Sequence, residues 1–146
     1  MGVVLIALLL FLGCGDSVYR KSYDFKKNQW PREDVKKFEF SIESAGRYNV
    51  VLEFRHVYGT PLDNIPLEVT LTGPESDQAF THTLRLTDSD GKMLSDCLGD
   101  VCDLEQPILE NESLAAGTYV LTLAHRFDHA YLPNTPSVGI KVAAAQ

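Results

Sequence analysis

The sequence predicts an all-β fold: a single antiparallel β-sandwich of two sheets and about seven strands, immunoglobulin-like or jelly-roll-like. Two observations support this prediction. Apolar residues recur at every second position in several stretches, and the 3.6-residue period of an amphipathic helix is missing from them. Glycine, proline and Asp-Gly turn signals separate these stretches at nearly regular intervals, as in two-sheet sandwiches. A length of 146 residues fits one domain of this kind.

The chain opens with a short apolar segment that has the character of a secretion signal. Residues 3–12 are all apolar, but as a helix they would reach only about 15 Å, half of the hydrocarbon core of a bilayer. Gly13 precedes Cys14, and a small residue before a cysteine is typical of the site where bacterial lipoproteins are cleaved and lipidated. We therefore expect residues 1–13 to be a lipoprotein signal peptide and Cys14 to carry a membrane-anchoring lipid. Ordinary secretion and a buried N-terminal strand are the alternatives.

Alternation marks the strands in order along the mature chain. Residues 14–30 are expected to form the lipidated N-terminal segment, with a candidate strand over 18–25, and residues 31–146 to form the sandwich domain. A strand with one apolar side has one face against the core and one toward water. The other predicted strands have these apolar faces: Phe38, Phe40 and Ile42; Tyr48, Val50, Leu52 and Phe54; Ile65, Leu67, Val69 and Leu71; Phe80, His82, Leu84 and Leu86; Tyr119, Leu121 and Leu123; Val138, Ile140 and Val142.

The connection over residues 93–116 has little periodicity, so we predict a long loop there. Loops of this length in a compact domain usually have a function or hide a short element. The region is also acidic, because between Asp88 and Glu112 eight carboxylates accompany the single Lys92. Such a loop could attract a basic partner surface. The simpler alternative is a solvated loop that keeps the protein soluble.

Cys97 and Cys102 lie within this predicted loop. An exported protein meets an oxidising compartment, where thiols tend to pair. A disulfide between these two cysteines would close a short loop and stabilise the fold by about 2 kcal/mol. Two free thiols are the alternative. The spacing differs from the C-x-x-C of a catalytic redox pair.

No catalytic, metal or nucleic-acid-binding pattern stands out in the sequence. His125 and His129 are four residues apart, which would suit zinc on a helix, but on a predicted strand they lie roughly 13 Å apart. The Asp88–Gly91 turn would need an oxygen ligand where Lys92 stands to be a calcium loop. The formal net charge of −7 disfavours binding to phosphate backbones. We expect a protein that is not an enzyme, without a cofactor, a bound metal or a small-molecule ligand.

Trp30 suggests an alternative function. Together with Tyr19, Tyr23 and Tyr58 it could form an aromatic platform for a sugar ring, as in a lipid-anchored carbohydrate-binding module. In the simpler interpretation, Trp30 packs the N-terminal segment onto the sandwich, because aromatic residues usually bury their area.

The order of motifs over nearly the whole chain resembles the gliding motility lipoprotein GldH family of the Bacteroidetes. The motifs are the cysteine at position 14, Val18-Tyr19, Tyr23-Asp24-Phe25, Trp30-Pro31, Asp34-Val35, Phe38-Glu39-Phe40, Asp90-Gly91-Lys92, Leu94, Leu98-Gly99-Asp100, Asp103, Pro107, Leu109-Glu110-Asn111, Gly117-Thr118-Tyr119, Arg126, Asp128 and Val138-Gly139. The chain departs from the family at Cys97 and Cys102 and in the Pro133–Pro136 loop.

The resemblance implies a non-catalytic lipoprotein of the cell envelope, with the outer membrane as its expected location, that belongs to the gliding and type IX secretion machinery. Its partners would be proteins of that apparatus, and the membrane through the lipid on Cys14. The region over 93–116 contains the most family-specific residues. We therefore select Leu98, Gly99, Asp100 and Asp103 as the candidate interaction loop.

Overall fold

The structure is a computed structural model that describes residues 17–146. The predicted signal peptide and Cys14 lie outside the described residues. Within residues 17–146 the chain forms eleven strands and one short 3₁₀ turn, Lys26–Asn28. The strands are β1 (Ser17–Asp24), β2 (Trp30–Pro31), β3 (Lys36–Ile42), β4 (Gly46–Val57), β5 (Ile65–Thr72), β6 (Asp77–Leu84), β7 (Asp96–Leu98), β8 (Val101–Leu114), β9 (Gly117–His125), β10 (Tyr131–Leu132) and β11 (Ser137–Ala144).

The strands are arranged in two large antiparallel sheets and one small ribbon. The five-stranded sheet has the order β1-β11-β4-β8-β7, the four-stranded sheet has the order β3-β9-β5-β6, and β10 pairs with β2 in the ribbon. The all-β class and the antiparallel pairing are confirmed. The predicted count of about seven strands in two sheets is wrong, because the described residues form eleven strands in three sheets.

The extra strands come from two sources. β2 and β10 have two residues each, too few for any alternation to show in the sequence. β7 and β8 occupy the stretch that we predicted as a loop, and β8 has 14 residues. Its alternation is broken because Gln106 takes an inward position, Pro107 follows it, and Asn111 has a left-handed backbone with φ 52°. The pairing with β4 also shifts register around Val50.

The core lies between the two large sheets and is built from the alternating residues. Phe38 and Leu121 of the four-stranded sheet and Leu52 and Ile140 of the five-stranded sheet are all fully buried. Burying a large apolar side chain contributes roughly 1.5–3 kcal/mol, so these positions supply much of the driving force for folding.

The N-terminal strand is part of the larger sheet. β1 pairs with β11 from Ser17 opposite Ala143 to Asp24 opposite Ser137. The candidate strand over 18–25, predicted within the N-terminal segment 14–30, is therefore hydrogen-bonded into the five-stranded sheet as β1. The pairing requires a glycine at Gly139, where a Cβ atom would come within 2.5 Å of the carbonyl oxygen of Lys21.

The two lateral sides of the sandwich differ. On one side β1 meets β3: the ring of Tyr19 packs on Phe40, and the hydroxyl of Tyr23 donates to the carbonyl oxygen of Lys37 at 2.5 Å. On the other side β6 and β8 face each other without a strand pairing, and polar side chains bridge the space between them.

A candidate interaction surface at the distal hairpin

The residues selected from the sequence meet in a tight β-hairpin. β7 pairs with the start of β8, with Asp96 opposite Asp103 and Leu98 opposite Val101. Gly99 and Asp100 form the two-residue turn, and Gly99 has φ 62°, the left-handed conformation that such turns require of their first residue. The prediction of an irregular loop is therefore wrong here. We call residues 96–103 the distal hairpin.

A disulfide bond joins the two strands of the distal hairpin. Cys97 and Cys102 lie directly opposite each other, and their sulfur atoms are bonded. Cys102 is fully buried while Cys97 is exposed, so the bridge fastens the outer strand to one that packs on the body. Because the cross-link joins the residue pair next to the one that flanks the turn, it limits how far the two strands can separate.

The hairpin is also fastened to β4 and to the segments around it. His56, which pairs with Cys102, has its Nε2 atom 2.6 Å from the hydroxyl oxygen of Ser95. The backbone N–H of Tyr58 donates to the carbonyl oxygen of Asp100 at 2.8 Å. His56 is buried, so this hydrogen bond with Ser95 is shielded from water. The hairpin therefore presents a fixed surface.

That surface has an apolar tip. Leu98 is 91% exposed, the largest value among the exposed apolar side chains of the described residues. Val101 lies directly opposite Leu98 on the same face, and Tyr58, 61% exposed, joins the tip through its bond to Asp100. Single exposed apolar residues are common, but a cluster on a rigid element is typical of a protein-binding surface.

Carboxylates surround the apolar tip. Asp96, Asp100 and Asp103 are exposed on the distal hairpin. Asp103 pairs with Arg55, whose Nε atom lies 2.7 Å from Oδ1. No ion pair of Asp96 or Asp100 occurs within residues 17–146. The surface around the apolar tip is therefore negatively charged. The tip and these carboxylates together complement a partner that has an apolar pocket with basic residues at its edges.

The hairpin lies at the pole of the sandwich opposite the start of β1. Gly46, the first residue of β4, pairs with Leu114, and Val57, its last residue, pairs with Val101. The twelve residues of β4 span about 40 Å. Ser17 pairs with Ala143, at the Gly46 end of the sheet. Cys14 is three residues before Ser17, a reach of at most about 11 Å. A lipid on Cys14 would therefore attach the pole that is far from the hairpin.

The structure contradicts an aromatic platform at Trp30. Its side chain is fully buried, stacks on Phe25 and donates from Nε1 to the carbonyl oxygen of Asp34 at 2.7 Å. Tyr19 and Tyr23 pack against the core as well. Trp30 therefore joins the N-terminal segment to the sandwich, as in the simpler interpretation.

The two histidines with metal-like spacing are separated. His125 is fully buried at the end of β9, whereas His129 is exposed in the following turn. In the described part of the chain no three His, Cys, Asp or Glu side chains converge on one point. A groove of about 570 Å³ crosses the outer face of the five-stranded sheet, and its Glu53 and Asp103 are paired with Arg20 and Arg55.

Sequence reasoning missed three parts of this surface. Val101 and His56 were not selected, and Tyr58 was considered only for the aromatic platform with Trp30. The signal for the hairpin is the Gly-Asp pair between Leu98 and Val101, with a cysteine directly outside each of them. No residue pattern could have shown that Tyr58 would reach the tip.

Across residues 17–146 no helix has the length and apolar character needed to cross a membrane. The model of the family described as "GldH lipoprotein" matches residues 17–142. No curated protein sequence matches the chain.

Two solved structures show a distant likeness. One is the crystal structure of the infectious bursal disease virus VP2 subviral particle, at 12% identity and a TM-score of 0.38 over 99% of this chain and 37% of that chain. The other is the structure of the infectious bursal disease virus Gx strain, at 11% identity and a TM-score of 0.33 over 99% of this chain and 38% of that chain. The chain thus spans less than two-fifths of those proteins, and likeness at this level carries no functional argument.

Proposed function

The chain belongs to the GldH lipoprotein family, and we propose that it is a non-catalytic, protein-binding component of the gliding-motility and type IX secretion machinery. The family is that of a gliding-related lipoprotein, which implies a lipid-anchored protein of the cell envelope. The finer parts of the proposal are its location in the outer membrane, its attachment through Cys14, and contact with machinery proteins through the distal hairpin.

The observation that carries the proposal is the exposed Leu98 on a cross-linked hairpin. An apolar side chain 91% exposed on a mobile loop would contribute little to binding, because binding would have to order the loop. Here the disulfide, the buried His56–Ser95 hydrogen bond and the bond from Tyr58 have already fixed the backbone. Leu98 is therefore available as an anchor for a pocket on a partner.

The position of the hairpin supports the same proposal. With the lipid near the start of β1, the part of β4 from Asn49, which is level with Ser17, to Val57 would hold the hairpin about 27 Å from the first residue of β1. An apolar residue at that distance is beyond the lipid interface. It is placed to meet the part of a membrane-bound partner that projects from the bilayer.

The first experiment is crosslinking and affinity capture of the tagged, lipidated protein from its own envelope, followed by mass spectrometry. We expect gliding or secretion proteins to be enriched with the natural chain and lost with Leu98→Ser. Val35→Ser is the matched control, because Val35 is 52% exposed but lies directly before β3 and not in the hairpin.

Two results would contradict the proposal at different levels. Equal capture by Leu98→Ser and by the natural chain would remove the hairpin as the binding surface. A deletion strain with normal spreading on agar and normal type IX secretion would remove the function itself.

A further inference from the structure

On the open lateral side of the sandwich, one edge of β6 has no strand from the described part of the chain paired to it, and only side-chain hydrogen bonds, Gln78 to Glu112 and His82 to Gln106, cross from it to β8. β6 pairs only with β5, and the pairing runs without a bulge from Ile65 opposite Leu84 to Thr72 opposite Asp77. Natural edge strands are usually blocked by proline, lysine, a bulge or a covering segment. β6 has none of the first three, and residues 78–84 carry no charged side chain other than a histidine.

The direction of the free backbone groups follows from Arg85. Its N–H donates to Oε1 of Gln106 at 3.3 Å, and its carbonyl oxygen accepts a bond from Nε2 of the same side chain. The Gln106 amide thus takes the place of a peptide group from a neighbouring strand. Backbone groups alternate in direction along an antiparallel strand, so those of Ala79, Thr81 and Thr83 point to the same open side.

A cleft adjoins this edge. It has a volume of about 400 Å³ and lies between β6 and β8, lined by His82, Thr83, Leu94, Gln106 and Pro107 among others. Leu94 is 47% exposed there. The inward-facing side chains of a strand added to β6 would enter a space with apolar contacts available.

The charges at the two ends of the edge are opposite. Asp77 stands at the start of β6, and Arg85 directly follows its end. Neither side chain belongs to an ion pair within residues 17–146. A strand antiparallel to β6 would pass Arg85 first and Asp77 last. Opposite charges directly across two strands attract, whereas like charges repel.

We propose that β6 binds an extended segment of a partner protein as an added antiparallel strand. The segment has an acidic residue opposite Arg85, uncharged β-forming residues opposite Thr83, Thr81 and Ala79, and a basic residue opposite Asp77. This surface is separate from the distal hairpin, and the inference does not depend on the hairpin's role. A second copy of this chain does not fit, since antiparallel pairing of two β6 edges would put the two lipid-bearing poles at opposite ends.

The test uses two fluorescent nine-residue peptides of identical composition. One has a glutamate first and a lysine last, with valine and threonine alternating between them, and the second exchanges the two charged residues. Binding to the full lipidated chain in detergent is followed by fluorescence anisotropy. We expect the first peptide to bind about tenfold more tightly than the second, because two cross-strand charge pairs change from attraction to repulsion.

Three variants make the test specific to this edge. Thr81→Pro removes the central outward N–H without touching the β5 ladder and should weaken binding of the first peptide at least about tenfold, whereas Thr81→Val should not. The exchange Asp77→Lys with Arg85→Glu should reverse the peptide preference. Equal affinity for the two peptides, no binding of either, or unchanged binding by a folded Thr81→Pro variant would each overturn the proposal.

Discussion

His125 donates a hydrogen bond from Nε2 to the carbonyl oxygen of Trp30, 2.9 Å away. The carbonyl can only accept, so the neutral imidazole carries its proton on Nε2 and Nδ1 is left bare. That Nδ1 atom is buried and has no hydrogen-bond partner. The bond fastens the end of β9 to the β2–β10 ribbon, with the indole of Trp30 edge-on to the imidazole. The ribbon is therefore sensitive to the protonation of one side chain.

Acid should destabilise the fold through His125. Burial lowers the pKa of its imidazole below the ordinary value, and the nearby Arg32 and Arg126 lower it further against the opposing effect of the Trp30 hydrogen bond. The unfolded chain then binds more protons than the folded chain once the pH falls below about 6.5. We expect thermal stability to be retained above that pH and to fall as the pH drops through the window between the two pKa values, by at most about 1.4 kcal/mol per pH unit. Thermal stability should change less steeply with pH near pH 6 in His125→Gln than in the natural chain. His129→Gln, at an exposed site, is the control and should keep the slope of the natural chain.

Gly139→Ala should detach β1 from the five-stranded sheet. The added Cβ atom would lie 2.5 Å from the carbonyl oxygen of Lys21 and 2.9 Å from the Cα atom of Ser22, and both contacts are with backbone. We expect the free energy of unfolding, measured with urea, to fall by several kcal/mol, because the added methyl group overpacks the contact between the two strands. Gly46→Ala is the matched control, because its Cβ atom would meet its nearest neighbour at 3.7 Å. Equal urea midpoints for the two variants would show that β1 can move away from Gly139 without a loss of stability.

Removing the disulfide should loosen the distal hairpin more than the rest of the protein. For Cys97→Ser combined with Cys102→Ala we expect a loss of about 2 kcal/mol in the free energy of unfolding. Hydrogen exchange should quicken more at residues 96–103 than in β3 and β9, where it should rise only as far as the loss of global stability requires, since the bridge spans only the hairpin. Uniform quickening across the sheets would mean that the bridge stabilises the whole domain.

Asp63→Asn should destabilise the connection before β5. Burial raises the pKa of the Asp63 carboxyl, but hydrogen bonds from the Thr87 hydroxyl and the backbone N–H groups of Leu86 and Asn64 outweigh it and hold the pKa below the ordinary value. The backbone N–H groups can still donate to the amide oxygen, but the amide nitrogen in place of Oδ2 cannot accept the bond from the Thr87 hydroxyl, and the negative charge is lost, so we expect a loss of about 1–3 kcal/mol at neutral pH. Because the folded pKa is depressed, the difference from the natural chain should shrink as the pH falls through it. Asp90→Asn, at an exposed position, should leave the thermal midpoint unchanged.

The strands with clean alternation could be located from the sequence, whereas the pairing between them could not. The apolar faces at Leu52, Leu67 and Leu121 all point into the core as predicted. β8 was missed because it is an edge strand for most of its length, and such strands tolerate residues like Gln106 and Pro107 that interrupt the pattern. The hairpin tip depends on Tyr58 from a distant segment, a contact that only the folded chain defines.

If the chain is exported as we propose, the pairing of β1 with β11 sets the order in which the fold can be completed. The first folded strand to emerge from a translocation channel has the last one as its only sheet partner. Until Ser137–Ala144 has followed, β1 has an unfilled edge. A chain cut short before β11 would be delivered to the membrane with that edge still open, and would be a natural substrate for envelope proteases and holding chaperones.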